Sequence, residues 1–61
     1  MGAKIRQFRE RLGMSQKQLA DALGLNQSAV ALWETGKTTP TNQNLIRLAD
    51  ILGCKPGDLF G

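Results

Sequence analysis

Glycine divides this chain into short segments. Gly13, Gly24, Gly36 and Gly53 each follow a stretch in which apolar residues recur at helical spacing. Glycine suits the left-handed conformation just past the end of a helix. No segment alternates apolar and polar residues as a β-strand does. The sequence therefore predicts an all-α fold, four helices plus a short C-terminal helical turn, in one domain over residues 1–61.

The first two predicted helices are bounded by clear signals. The first spans Lys4 to Leu12, and the second begins at Ser15, where Gln18 three residues later completes a possible capping box. Inward-facing positions share a spacing of three or four residues. In the first helix these are Ile5, Phe8, Arg9 and Leu12, and in the second Leu19, Ala20 and Leu23.

The third and fourth predicted helices have similar starts. Asn26 is a good N-cap and opens a third helix that runs to about Thr35, and the fourth helix begins at Thr41. Ile46 and Ile51 widen the apolar face of the fourth helix, so we expect it to be the most buried. The centre of that face and the final turn carry Leu45, Leu48, Ala49, Leu52, Leu59 and Phe60.

Composition excludes several classes of protein. The chain has one cysteine, Cys54, and no histidine, so it has neither an internal disulfide nor the usual zinc ligands. Without histidine or tyrosine, acid–base catalysis lacks its commonest groups. No stretch approaches the roughly 20 apolar residues of a membrane span. We expect an intracellular protein with no metal, no cofactor, no membrane partner and no enzymatic activity.

The positive charge is concentrated in the first part of the chain. The net charge is +3, and residues 1–37 hold six basic and three acidic side chains, which accounts for all of it. Residues 38–61 hold two of each and are neutral. This asymmetry suits a surface that faces a polyanion, although a solvated basic face explains it equally simply.

The join between the second and third helices carries the functional signal. Ala20 lets another helix approach closely, Gly24 allows a tight turn, and Leu25, Val30 and Trp33 can point back into the joint. Two helices joined in this way cross steeply and leave the outer face of the second one exposed. This is a helix-turn-helix, whose second helix can enter the major groove of DNA. The spacing of Trp33 from Val30 favours a core position for the indole.

The run from Met14 to Pro40, which includes Ser15-Gln16, Trp33-Glu34 and Gly36-Lys37, closely resembles the phage repressor and Cro family of helix-turn-helix regulators. These XRE-like transcriptional regulators have the lambda-repressor-like fold. The stretch over residues 45–53 and the final Asp-Leu-Phe match as well, so the resemblance covers about residues 3–60. The resemblance implies a transcriptional regulator, most simply a repressor, that binds a double-stranded DNA operator.

The resemblance assigns the base-reading positions to the outer face of the third helix. Gln27 matches the family's main base-reading position, and glutamine can pair with both N6 and N7 of adenine. Ser28, Ala31 and Leu32 project from the same face. Leu32 replaces a polar residue of many relatives. It either meets a thymine methyl in the groove or lies partly in the core.

Other residues match the family's phosphate contacts. Gln16 corresponds to a glutamine that touches a phosphate and braces the recognition helix. In the family the loop after the third helix follows the DNA backbone, so Lys37 and nearby N–H groups are expected to face a phosphate. Asn42, at the start of the fourth helix, is a weaker candidate. Lys17 is weaker as well, because a lone lysine on a helix is often simply solvated. The full predicted phosphate-contacting set is Gln16, Lys17, Asn26, Lys37, Thr38 and Asn42.

The resemblance also implies a structural ion pair between Arg9 and Glu34. Arg9 is a charge on the apolar stripe of its helix, and in the family an arginine there pairs with a glutamate at the position of Glu34. The pair would be partly buried and would fix the recognition helix. Alternatively, both are surface charges, and Arg9 lays its methylene groups along the core.

The resemblance implies a dimer on a palindromic operator. Leu59 and Phe60 are the expected self-contact, and so small a patch predicts a weak homodimer that is stabilised on DNA. The alternative function is an antitoxin-like or adaptor module that holds another protein on the same scaffold. In either case we expect a cytoplasmic protein encoded by a bacterium or a phage.

Overall fold

The computed structural model describes residues 1–60 and has helices where the glycine spacing predicts them. The α-helices are α1 (Gly2–Arg11), α2 (Gln16–Leu23), α3 (Gln27–Thr35) and α4 (Asn42–Leu52), followed by a 3-10 turn (Pro56–Leu59). No strand occurs within residues 1–60. The predicted all-α fold of four helices and a terminal turn is confirmed.

Two of the helices begin with a side-chain cap. The Gln18 N–H donates to Ser15 Oγ (3.0 Å) and the Ser15 N–H donates to Gln18 Oε1 (2.8 Å), which completes the capping box at α2. At α4, the Asn44 N–H donates to Thr41 Oγ1 (3.2 Å). Asn26 occupies the N-cap position of α3, but its side chain makes no capping hydrogen bond.

The turn between α2 and α3 depends on a left-handed residue. Gly24 has a φ of 71°, and its N–H donates to the Asp21 carbonyl (3.1 Å). The Leu25 N–H donates to the Ala20 carbonyl (2.9 Å), so the two bonds form a Schellman motif. A side chain at Gly24 would strain this turn, which is short enough to bring α3 directly back against α2.

The core lies where all five elements meet. The helix α3 packs against α1 and α2, while the 3-10 turn packs against α1 and α4. The helix α4 contributes four buried residues, more than any other element, and Trp33 is buried as expected. The buried apolar side chains are Ile5, Leu19, Ala20, Leu23, Val30, Trp33, Leu45, Leu48, Ala49, Leu52 and Leu59.

Two predicted inward positions are wrong. Leu12 is 52% exposed because α1 ends at Arg11 and the chain turns away at that point. Ile46 is 61% exposed. Successive residues point roughly 100° apart around a helix, so Ile46 projects well away from the centre of the face set by Leu45 and Leu48. The apolar face of α4 is therefore narrower than its composition indicates.

The first helix begins two residues earlier than predicted, at a close contact with α3. A Cβ atom on Gly2 would lie 2.5 Å from the carbonyl oxygens of both Trp33 and Glu34. Such a distance is far below van der Waals contact, so the approach of α1 to the end of α3 requires glycine here. This contact fixes the start of α1 against the last turn of α3.

The predicted self-contact is wrong for one of its two residues. Leu59 is fully buried because the 3-10 turn folds its side chain back onto α1 and α4, whereas Phe60 is exposed. Only Phe60 therefore offers surface to a partner. In the part of the chain that the structure describes, the helices are all too short to cross a bilayer.

Candidate nucleic-acid interface

The outer face of α3 is open. Val30 and Trp33 face the core, and Gln27 and Ser28 are exposed on the other side. Neither of these polar side chains hydrogen bonds to another group within residues 1–60. Ala31 is half-buried, and Leu32 is 39% exposed. The four predicted base-reading residues therefore lie on one side of α3, and Leu32 is partly exposed there and is not among the buried core residues.

Arg9 and Glu34 form a buried, bidentate ion pair. Arg9 Nε donates to Glu34 Oε2 (2.7 Å) and Arg9 Nη2 donates to Glu34 Oε1 (3.0 Å). Their side chains are 10% and 5% exposed. Arg9 Nη1 also donates to the Met14 carbonyl (2.8 Å), and no buried side-chain N or O atom of residues 1–60 lacks a partner. The pair thus joins α1 to the last turn of α3.

Gln16 links this pair to α2. Its Nε2 donates to Glu34 Oε1 (3.2 Å), so the carboxylate receives hydrogen bonds from two helices at once. The amide has a second N–H, and the residue lies at the N-terminus of α2, where backbone N–H groups remain free. Gln16 thus braces α3 and still has a donor available for an anion.

The network lowers the pKa of Glu34. Burial alone would raise the pKa of this carboxyl, but hydrogen bonds from Arg9 and Gln16, with the positive charges of Arg9 and Arg6, outweigh burial. The hydrogen bond to Glu34 raises the pKa of Arg9 against the opposing effect of burial. Both groups are therefore charged in the folded domain at neutral pH.

The lowered pKa predicts a loss of stability in acid. The ionised form of Glu34 stabilises the fold fully above the ordinary glutamate pKa of 4.5. This contribution is lost as the pH falls from there through the lower pKa of the folded state. We expect the free energy of unfolding of the wild type to decrease over this range, and that of Glu34→Gln to decrease less. Urea titrations at a series of pH values measure both slopes.

Glu10→Gln is the matched control for this titration. Glu10 is exposed and makes one long contact with Arg6 (3.4 Å), so its removal should leave the acid slope unchanged. If Glu34→Gln has the same acid slope as the wild type, another carboxyl carries the effect.

The predicted phosphate-contacting residues lie at the start of α2, at the start of α3, in the loop after α3 and at the start of α4. Lys17 Nζ lies 3.1 Å from Asp21 Oδ2 in an exposed pair, which is weak enough to exchange for a phosphate. Gln16 is half-buried by its bond to Glu34. The other members are exposed at the start of α3, in the loop after it, or at the start of α4: Asn26, Lys37, Thr38 and Asn42.

The loop after α3 offers fewer backbone donors than expected. The N–H groups of Lys37 (3.1 Å) and Thr38 (3.4 Å) both donate to the Leu32 carbonyl. These two donors cap the helix and are therefore occupied. The expectation that neighbouring N–H groups in this loop face a phosphate is wrong for both residues, although their side chains stay free.

One residue of the outer face of α3, Thr35, was not predicted from the sequence. Thr35 is exposed and lies seven residues after Ser28, two turns along the same side of α3. Its hydroxyl donates to the Leu32 carbonyl (3.0 Å) and so is occupied within the helix. Periodicity could have placed Thr35 on this face, but not the hydrogen bond that removes its donor.

The thiol of Cys54 is not suited to nucleophilic catalysis. Burial raises the pKa of the Cys54 thiol, and the nearby Asp58 carboxylate raises it further. The thiol is therefore protonated at neutral pH, whereas a nucleophilic cysteine needs the thiolate. Residues 1–60 contain no group of three or more side chains suited to hold a metal ion.

The buried ion pair, the glycine turn between α2 and α3 and the exposed outer face of α3 together define a helix-turn-helix domain, in which α3 is the recognition helix. Residues 5–59 match the helix-turn-helix family model. The chain belongs to this family.

Relatives include the HTH-type transcriptional regulator DicA of Escherichia coli (39% identical over 56 residues, 92% of this chain and 42% of DicA). Repressor protein C2 of Salmonella phage P22 is 36% identical over 60 residues, which are 98% of this chain and 28% of C2. The type II methyltransferase M.SsoII of Shigella sonnei is 41% identical over 59 residues, which are 92% of this chain and 16% of the enzyme. The chain spans less than half of each of these proteins.

The crystal structure of the P22 c2 repressor in complex with a synthetic operator has a TM-score of 0.91 to this chain. The match covers 95% of this chain and 88% of that one, at 34% identity. The fold of this chain is therefore closely similar to that of the P22 c2 repressor in that complex.

Proposed function

We propose that this chain is a sequence-specific DNA-binding domain of a transcriptional regulator, in the first instance a repressor. The observation that carries the proposal is the outer face of α3, which is exposed at Gln27 and Ser28 and held in place from behind by Arg9, Glu34 and Gln16. A face with free polar side chains on a fixed helix is what reading base edges in the major groove requires. The relation to DicA and to the P22 repressor supports the same function.

The proposed roles divide the surface into two sets. Gln27, Ser28, Ala31 and Leu32 read bases, with Gln27 pairing to adenine. The second set binds phosphates and sets the position of α3 without reading sequence: Gln16, Lys17, Asn26, Lys37, Thr38 and Asn42. The +3 charge of residues 1–37, which contain most of this surface, favours a polyanionic partner.

The proposal includes a dimer on a palindromic operator. Two copies would place their recognition helices about 34 Å apart, one turn of DNA. Phe60 is the proposed self-contact, since Leu59 is buried. One exposed aromatic ring per copy supports a weak homodimer that forms mainly on DNA, in the cytoplasm of a bacterium. The proposed role is binding rather than catalysis.

Salt dependence tests the proposed function. Duplexes recovered from a random pool by binding to this chain should lose affinity steeply as salt increases, with a log–log slope of about −0.9 per phosphate contacted. Lys37→Ala should reduce the magnitude of that slope by about 1. Gln27→Ala should leave the slope unchanged and weaken binding to the selected duplex by about 5- to 150-fold, as expected for the loss of one bidentate base contact. Fluorescence anisotropy with labelled duplexes measures each of these.

The same titration separates DNA binding from the alternative, an adaptor or antitoxin-like module. A contact with another protein through apolar surface responds little to salt. If no duplex of any sequence binds at low ionic strength, the DNA-binding function is wrong and the adaptor function is favoured. If duplexes bind but Gln27→Ala has no effect on sequence preference, Gln27 does not read a base and the proposed role of this residue is wrong.

A further inference from the structure

The outer face of α3 changes character along its length. At the N-terminal end, Gln27 and Ser28 have free hydrogen-bonding groups. At the C-terminal end, Ala31 and Leu32 have none, and the hydroxyl of Thr35 is bound to the Leu32 carbonyl. The face is therefore polar in its first turn and has no free side-chain donor in its second.

Leu32 is the one large aliphatic side chain on the outer face of α3. It is 39% exposed, whereas the core side of α3 is complete with Val30 and Trp33. Leu32 also lies four residues after Ser28, so the two side chains project from the same side of α3.

In the major groove, an apolar side chain has one complementary feature. The pyrimidine 5-methyl group is the apolar part of a base-pair edge, and contact with it is how aliphatic residues distinguish bases. Leu32 is five residues beyond Gln27, roughly 7.5 Å along the helix axis. This distance corresponds to about two base-pair steps of 3.4 Å.

We propose that Leu32, flanked by Ala31, selects a pyrimidine 5-methyl group about two base pairs from the base contacted by Gln27. This inference rests on the proposed DNA-binding function and adds the chemical class of the second feature read. The contact is with the methyl carbon, so thymine and 5-methylcytosine both satisfy it. Cytosine without the methyl group does not. The domain therefore responds to cytosine methylation at this position.

Replacing thymine by deoxyuridine tests the methyl contact directly, because uracil keeps every hydrogen-bonding group and loses only the methyl. Each thymine of one half-site in a selected duplex is replaced singly. We expect one replacement to weaken binding of the wild type about fourfold, the effect of losing one buried methyl contact. Leu32→Ala should bind both duplexes equally at that position. With cytosine or 5-methylcytosine at that position, the wild type should bind the methylated duplex about fourfold more tightly. Leu32→Ala should bind the two duplexes equally.

Ile46→Ala is the matched control, since it shortens another exposed aliphatic side chain on a helix outside this surface. It should keep the fourfold sensitivity to uracil. The inference is overturned if no thymine replacement weakens wild-type binding, or if Leu32→Ala remains equally sensitive. Failure of all duplexes to bind is a separate result that overturns the proposed function itself. A circular dichroism melt of each variant tests whether its fold is intact.

Discussion

Arg9→Ala is expected to lower the free energy of unfolding by about 3–5 kcal/mol, the cost of leaving one partner of a buried pair uncompensated. Glu34 would keep its charge at a site where its side chain is 5% exposed, with Gln16 as its one remaining side-chain donor. In a domain of this size, 1 kcal/mol shifts the melting temperature by about 4–8 °C. A decrease of at least about 12 °C in a thermal melt is therefore the expected result.

Arg6→Ala is the matched control, because Arg6 is also in α1 and pairs with Glu10 in an exposed (i, i+4) contact. Its loss should cost about 0.5 kcal/mol or less. Combining Arg9→Ala with Glu34→Ala should cost less than the sum of the single changes, since the second removes the stranded charge. An Arg9→Ala melt within a few degrees of the wild type would mean that the pair contributes little.

Gly2→Ala is expected to destabilise the domain by about 1–3 kcal/mol, although helix propensity alone predicts the opposite sign. Alanine is favoured over glycine within a helix by about 1 kcal/mol. However, the added Cβ would lie 2.5 Å from two carbonyl oxygens of α3, and backbone atoms cannot rotate away as a side chain can. The start of α1 must therefore move, with the usual cost of overpacking. Urea titration measures the change in the free energy of unfolding.

Gly57→Ala provides the comparison, since a Cβ at Gly57 meets nothing within 4 Å. That change should be close to neutral or slightly stabilising. If Gly2→Ala raises the stability, the close approach of α1 to α3 is not a constraint on the fold. If it lowers the stability and also weakens duplex binding at a temperature where the variant is folded, the contact also sets the position of the recognition helix.

Local chemistry made most of the fold predictable. Ser15 and Gln18 cap α2 through side chains only three residues apart, and Gly24 and Gly36 end their helices through their own backbone conformation. Neither feature depends on distant residues, so each is visible in a single sequence. The exposed position of Gln27 follows from periodicity in the same way, once Val30 and Trp33 define the core side of α3.

The parts that the sequence left open depend on contacts between distant segments. Leu12, Ile46 and Leu59 are all apolar, and periodicity alone does not say where a helix ends or how wide its buried face is. The demand for glycine at position 2 arises from residues more than 30 positions away. The one indication of this requirement in the sequence is the spacing of Gly2, which lies three residues before Ile5 and therefore on the inward side of α1.

On the outer face of α3, Gln27, Ser28 and Leu32 are exposed and Ala31 is half-buried, and the ion pair on the other side of the helix fixes α3 without a hydrogen bond from any of these four side chains. Exchanging Gln27, Ser28, Ala31 and Leu32 for other residues should therefore redirect the domain to new targets at little thermodynamic cost. A library randomised at these four positions would sample binding preferences almost independently of folding, which makes this small scaffold a convenient starting point for altered specificity.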